Sequence, residues 1–128
     1  MKTVLITGAT SGIGRATAIE LAKHNFKLIL CGRREDRLAE LQLELEHRTK
    51  VHTLNFDVRK KKAVQESIDS LPKEFSEVDI LINNAGNAGA EGFSARTPFA
   101  ETEPSDWAPF LEVNLYGVLN CTRAVLPG

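Results

Sequence analysis

The apolar run Val4-Leu5-Ile6 leads straight into Thr7-Gly8-Ala9-Thr10-Ser11-Gly12-Ile13-Gly14. No other stretch limits the fold as tightly. A short buried strand has to become a helix at once, through a loop carrying three glycines. Glycine opens backbone conformations closed to other residues and lets backbone amides approach a neighbour. The helix that follows turns its unpaired N–H groups and the positive end of its dipole toward the loop, an arrangement suited to a phosphate. The spacing is neither G-x-G-x-x-G nor that of a P-loop, which ends in Gly-Lys-Ser/Thr. A plain tight turn is the other reading of these residues taken alone.

Beyond this loop, strand-like and helix-like segments alternate. Strands are predicted at Thr3 to Thr7, Lys27 to Cys31, Val51 to Asn55 and Asp79 to Asn83. Helices are predicted at Gly12 to His24, Glu35 to His47, Lys61 to Leu71 and Phe110 to Leu126. Leu38, Leu41 and Leu45 recur at helical spacing, as do Val64, Ile68 and Leu71. Lys27 to Cys31 is a near-continuous apolar run and Ile80-Leu81-Ile82 is apolar on both faces, the pattern of a parallel sheet covered on both sides. Alternation of this kind implies right-handed crossovers and an α/β, Rossmann-type doubly wound sheet of order 3-2-1-4, with residues 1–128 as one domain. A ligand is then expected across the carboxyl ends of strands one and four. The loop from Asn87 to Ala100 is longer than ordinary connections and is expected to wall a site.

Composition narrows the partners. A formal net charge of −1 with 26% charged residues argues against nucleic acid, and no apolar run reaches membrane-spanning length. The chain opens on a strand rather than a leader, so a cytoplasmic protein is expected. Cys31 and Cys121 stand far apart without metal-ligand spacing and read as reduced, buried thiols. His24, His47 and His52 read as surface residues, and Lys60-Lys61-Lys62 as a solvated face.

The end of strand two reads Cys31-Gly32-Arg33-Arg34. In a dinucleotide site an acidic residue there would hold a ribose 2′-hydroxyl. A guanidinium instead binds a 2′-phosphate through charge-assisted bonds, so NADP(H) is expected, with Arg33 as main contact and Arg34 as second. A solvated arginine pair opening a helix is the alternative. Asp57-Val58 closes strand three, where the carboxylate serves either an adenine amino group or as a cap for the following helix. Asn83-Asn84-Ala85-Gly86 closes strand four, where it serves either a ribose and nicotinamide or as a turn.

Together, Thr7-Gly8-x-x-x-Gly12-Ile13-Gly14, Asp57-Val58, Asn83-Asn84-Ala85-Gly86 and Val113-Asn114 resemble the classical short-chain dehydrogenases/reductases, over the whole chain. Cys31-Gly32-Arg33-Arg34 is similar to NADP-using members, particularly the 3-hydroxy-acid, serine-type dehydrogenases. The resemblance implies that Gly8, Thr10, Ser11, Gly12, Ile13 and Gly14 hold the pyrophosphate. Asp57 and Val58 would meet the adenine, and Asn84, Ala85 and Gly86 the ribose side. Asn114 matches the family's active-site asparagine, which bends its helix and holds a water; an asparagine bonding between helices is the reading without the resemblance. Pro109 departs from the usual charged opening of that helix. The family's Ser and Tyr-x-x-x-Lys do not occur in these residues, since Tyr116 is followed four positions on by Asn120. The expectation is an amino-terminal, NADP(H)-binding part of an oxidoreductase for a small carbonyl or hydroxyl substrate, inactive by itself. A non-catalytic nucleotide-binding or interaction module is the alternative; a methyltransferase would want an acid where Arg33 stands. The resemblance also places the last helix at a subunit interface, so a homo-oligomer, or a sparingly soluble chain with an open edge at strand four, is expected.

Overall fold

The computed structural model describes residues 1–86, 99–101 and 103–126. The loop expected from Asn87 to Ala100 lies outside them as far as residue 98. Four parallel strands, β1 (Thr3–Thr7), β2 (Lys27–Gly32), β3 (Val51–Asn55) and β4 (Ile80–Ile82), form one sheet of order β3-β2-β1-β4. Three helices lie between them: α1 (Gly12–Ala22), α2 (Glu35–Leu45) and α3 (Lys61–Asp69). The doubly wound order predicted from the alternation is the one found.

The period of two along the central strands divides the core. Val4, Ile6, Leu28 and Leu30 face one side and pack against Ala18, Ala22, Leu38, Leu41 and Leu45 of α1 and α2. Leu5, Ile29, Cys31 and Leu54 face the other and pack against Val64, Phe75, Cys121 and Ala124. The apolar side chains of β1 are wholly buried, which an interior strand with helices on both faces requires. Ala18 and Ala22, each a methyl group, let α1 lie close on the sheet. Fully burying each leucine here contributes roughly 1.5–3 kcal/mol. β4 pairs only with β1 among the described residues, and Ile80 at its start is 37% exposed.

The last helical stretch differs from expectation. It begins at Pro104, not Phe110, as α4 (Pro104–Leu111), passes through a π-turn (Glu112–Tyr116) and continues as α5 (Gly117–Val125). Proline at the first helical position loses nothing, because that N–H has no intrahelical partner. Pro109 sits inside the helix and leaves one carbonyl of the first turns without its usual donor, yet the helix continues through it. In the π-turn the Gly117 N–H reaches the Glu112 carbonyl, a span of one residue more than in an α-helix. Gly117 is obligatory for packing: a Cβ there would lie 2.6 Å from Val58 Cγ2. The other helices end within a turn or so of expectation. A short 3₁₀ turn at Lys73–Phe75 buries Phe75 and was not foreseen.

His52 is a second correction. It is half-buried rather than a surface residue, with its ring 5.4 Å from that of Phe75. Burial lowers its pKa below the ordinary histidine value. His24 and His47 are exposed, as are Lys60, Lys61 and Lys62. Among the described residues no helix is long and apolar enough to cross a membrane, and no His, Cys, Asp and Glu cluster suits a metal ion.

Cys31 and Cys121 are free thiols in the same buried cluster. Burial pushes Cys31 upward and Cys121 up to about 11, so both stay protonated and shielded at pH 8. A thiol-specific disulfide reagent at that pH is expected to titrate neither in the native chain and both in concentrated guanidinium chloride.

Candidate functional site

A cavity of about 440 Å³ opens over the carboxyl ends of β1, β2 and β4. This is where the strand order reverses, the place at which open α/β sheets bind ligands. Its lining includes Thr7, Gly8, Thr10 and Ser11 after β1, Gly32, Arg33 and Arg34 after β2, Phe56, Asp57 and Val58 after β3, and Asn84, Ala85 and Gly86 after β4. Of the residues singled out from sequence, Gly12, Ile13, Gly14 and Asn114 do not line it. Phe56, Cys31 and Val113 line it and were not singled out for it. No motif marks them; they arrive through the ends of buried segments.

The glycines divide into two kinds. Gly8 takes φ +63°, and a Cβ on it would lie 2.9 Å from the Ala85 Cα. A Cβ on Gly14 would lie 2.0 Å from the Gly8 carbonyl oxygen and 2.4 Å from Asn84 Nδ2. These two glycines make room for the protein's own turn after β4, and Gly8 also lines the cavity. Gly12 is different: it takes φ +56° and nothing stands within 4 Å of where its Cβ would be. Only there does the missing side chain leave open space. Ile13, beside it, is 78% exposed.

A residue that sequence reading passed over holds this junction together. The Thr7 hydroxyl accepts N–H bonds from Asn84 and Ala85, both at 3.0 Å, and points at the Ile82 carbonyl at 3.5 Å. The Asn84 amide in turn donates to the Gly8 carbonyl at 3.1 Å. Thr7 is 1% exposed, so its hydroxyl is shielded from bulk water. A threonine ending an apolar strand is the sequence feature that would have indicated it.

The start of α1 suits an anion. Ser11 is extended and makes no side-chain cap bond, and the first turn carries no acidic residue. By contrast, α2 begins with Glu35 and Asp36, which satisfy its own dipole. Arg33 and Arg34 lie between, exposed on the cavity rim, and among the described residues neither is in an ion pair.

Asp57 does not cap α3. Its carboxylate accepts the Arg59 N–H at 3.0 Å in a local turn, and the Arg59 guanidinium closes on it with contacts of 2.6 and 3.0 Å. Arg59 holds the Asp57 carboxyl below the usual carboxylate range, with partial burial opposing. Asn120 Nδ2 donates to the Val58 carbonyl at 2.9 Å, fixing the adjoining backbone. Asn114, in the π-turn, sets its Oδ1 3.2 Å from where a Cβ on Gly86 would be, a tight contact that a side chain there would crowd. The neighbouring Val113 reaches the cavity.

The sequence profile described as short chain dehydrogenase matches residues 2–128. The chain belongs to the short-chain dehydrogenase family. Among curated relatives, sulfoacetaldehyde reductase 2 of Chromohalobacter salexigens is 50% identical over 97% of this chain and 47% of its own length. The NADP-dependent 3-hydroxy acid dehydrogenase of Schizosaccharomyces pombe is 43% identical over 98% of this chain and 48% of its own. The closed form of a serine dehydrogenase complexed with NADP+ superposes with a TM-score of 0.86 at 38% identity, covering 98% of this chain and 48% of that one. The chain spans about half the length of the curated relatives it matches.

Within this short-chain dehydrogenase chain, the Thr7 hydroxyl is separable from its methyl group. Thr7→Val leaves the Ala85 N–H without its acceptor and the Asn84 N–H with the Ile82 carbonyl alone, and is expected to lower stability by about 2 kcal/mol. Thr7→Ser keeps the hydroxyl and is expected to cost about 1 kcal/mol, the worth of a buried methyl group. Urea unfolding of both variants measures the difference.

Proposed function

We propose that this chain is the NADP(H)-binding part of an oxidoreductase that moves a hydride between NADP(H) and a small carbonyl or hydroxyl compound. The observation that carries the reading is the pair Arg33 and Arg34 at a cavity rim where a ribose-binding acid would otherwise stand. The cofactor supplies the hydride chemistry; the residues supply its seat. The acid-free start of α1 and the open side of Gly12 fit a pyrophosphate. Thr10 and Ser11 offer hydroxyls beside it. Arg33, with Arg34 as second contact, fits a 2′-phosphate. Asp57 and Val58 wall the adenine, and Asn84, Ala85 and Gly86 the nicotinamide ribose.

In this reading Asn114 holds a water of the proton path. The groups that would move the proton itself, a serine and a Tyr-x-x-x-Lys pair, do not occur in residues 1–128. Such acid–base help is worth roughly 10²–10⁴-fold, so these residues alone are proposed to bind without turning over. The names of the relatives support a small substrate carrying an acidic group. The proposed setting is cytoplasmic, in keeping with two buried reduced thiols.

Direct titration with NADPH and NADH tests the seat. Each charged hydrogen bond is worth about 1.5–3 kcal/mol, so Arg33→Asp is expected to weaken NADPH at least tenfold while leaving NADH little changed. Equal affinity of the native chain and the variant for both dinucleotides would overturn the assignment.

Self-association through the last helix is also proposed. Leu111, Leu115 and Leu119 stand exposed at four-residue intervals, flanked by Tyr116 and Leu126. Exposed large apolar side chains at this spacing support a contact surface. Sedimentation velocity is expected to show dimers or larger species, and Leu115→Glu with Leu119→Glu to shift the chain toward monomer. A clean monomer at high concentration without substitution contradicts this.

A further inference from the structure

We propose that Arg59, which does not itself line the cavity, sets the preference for a 2′-phosphorylated dinucleotide by occupying the Asp57 carboxylate. That carboxylate then neither repels the phosphate nor captures Arg33. The inference rests on the NADP(H) reading of the cavity and goes beyond it to a residue that no contact with the ligand would reveal.

Asp57 and Arg33 line the same cavity. An ionised carboxylate in such a position has two unwelcome options. It can face a phosphate of like charge, or it can pair with the guanidinium intended for that phosphate. Burial does not remove the problem by protonation, because Asp57 is held toward its charged form. The structure resolves it by engaging the carboxylate. A carboxylate offers about four lone-pair positions. Residue 59 engages both oxygens with three N–H groups: its backbone N–H on Oδ1 at 3.0 Å, Nε shared between Oδ1 and Oδ2 at 3.0 Å each, and Nη2 on Oδ2 at 2.6 Å.

Because one residue supplies both the backbone and the guanidinium donors, the pair forms within a three-residue turn and needs no distant partner. Arg59 Nη1 also stands 3.9 Å from Glu112 Oε2, a second carboxylate for the same guanidinium. Arg33, by contrast, has no ion-pair partner among the described residues and stays available at the rim. Arg59 is therefore a positioning residue that acts through Asp57.

The test measures dissociation constants of the 128-residue chain for NADPH and NADH by calorimetry, with urea midpoints as a check on folding. Arg59→Gln releases the carboxylate and is expected to weaken NADPH by about fivefold or more, with NADH changed less than about twofold. Arg59→Lys keeps the charge but loses the fork, and is expected to give an NADPH:NADH ratio between those of the native chain and Arg59→Gln. Adding Asp57→Asn to Arg59→Gln removes the offending charge and is expected to restore the ratio. Should Arg59→Gln fail to fold, Asp57→Asn alone is expected to keep or raise the preference for NADPH. Equal loss of both dinucleotides in Arg59→Gln overturns the inference, as does a double variant that stays impaired, or a fallen ratio in Asp57→Asn. A native chain that binds neither dinucleotide overturns the NADP(H) reading itself, before any substitution is made.

Discussion

The contact between the end of β1 and the turn after β4 underlies the rest of the carboxyl edge. Two strands far apart in sequence are hydrogen-bonded through Val4, Leu5 and Ile6, but the ladder stops where the strands do. Past that point the backbone of each has to be satisfied by something else, or it would carry buried unpaired groups. Thr7 and Asn84 do this reciprocally: a hydroxyl from β1 takes the amides after β4, and an amide side chain after β4 takes the carbonyl after β1. The close approach of these segments excludes side chains at Gly8 and Gly14. The glycine loop is thus held in shape mainly by protein on one side, which leaves Gly12 and the start of α1 preorganised on the other.

Preorganisation matters because the charges around the cavity do not cancel locally. The start of α1 is left without an acid, two arginines stand at the rim, and the carboxylate in the wall is already engaged. A net demand for negative charge is built into the lining while the chain as a whole carries −1. Fixed donors facing an anion need no reorganisation when it arrives, and this is what distinguishes a seat from a basic surface patch. The lysines at 60 to 62, solvated and outside the lining, show the contrast.

Sequence reading succeeded where one local rule governed. The bounds of β1 follow from an apolar run closed by Gly8, and the strand order follows from alternation and handedness. Arg33 and Asp57 came together because strand ends converge. It failed where long-range packing decided. The glycines look alike in sequence; only the approach of Asn84 separates Gly14 from Gly12. Thr7 reads as an ordinary strand residue until its partners arrive from some 77 positions away. Pro104 and Pro109 suggested a late helix start, but proline is neutral at a first turn and the packing of the segment beyond carries the helix through the second. The π-turn has no composition signature at all: it is the answer to a docking problem.

That docking problem is visible in what flanks the turn. Above it, Gly117, Cys121 and Ala124 share a stripe that must lie on the sheet and on Val58. Below it, Val113 reaches the cavity and Asn114 lies against Gly86. A straight α-helix that satisfied the upper stripe would fix the azimuth of the lower residues as well. The extra residue spanned by the Glu112–Gly117 bond lets the two halves take independent azimuths. The turn is gripped on both sides by the segment after β3, through Arg59 at Glu112 and through the Val58 carbonyl at Asn120. Asp57 and Val58 therefore face the cavity, while the Val58 carbonyl and Arg59 reach the helix. A shift of the helix has to pass through the same short segment that walls the cavity after β3, so the geometry at Asn114 and the charge at Asp57 are set by one piece of backbone.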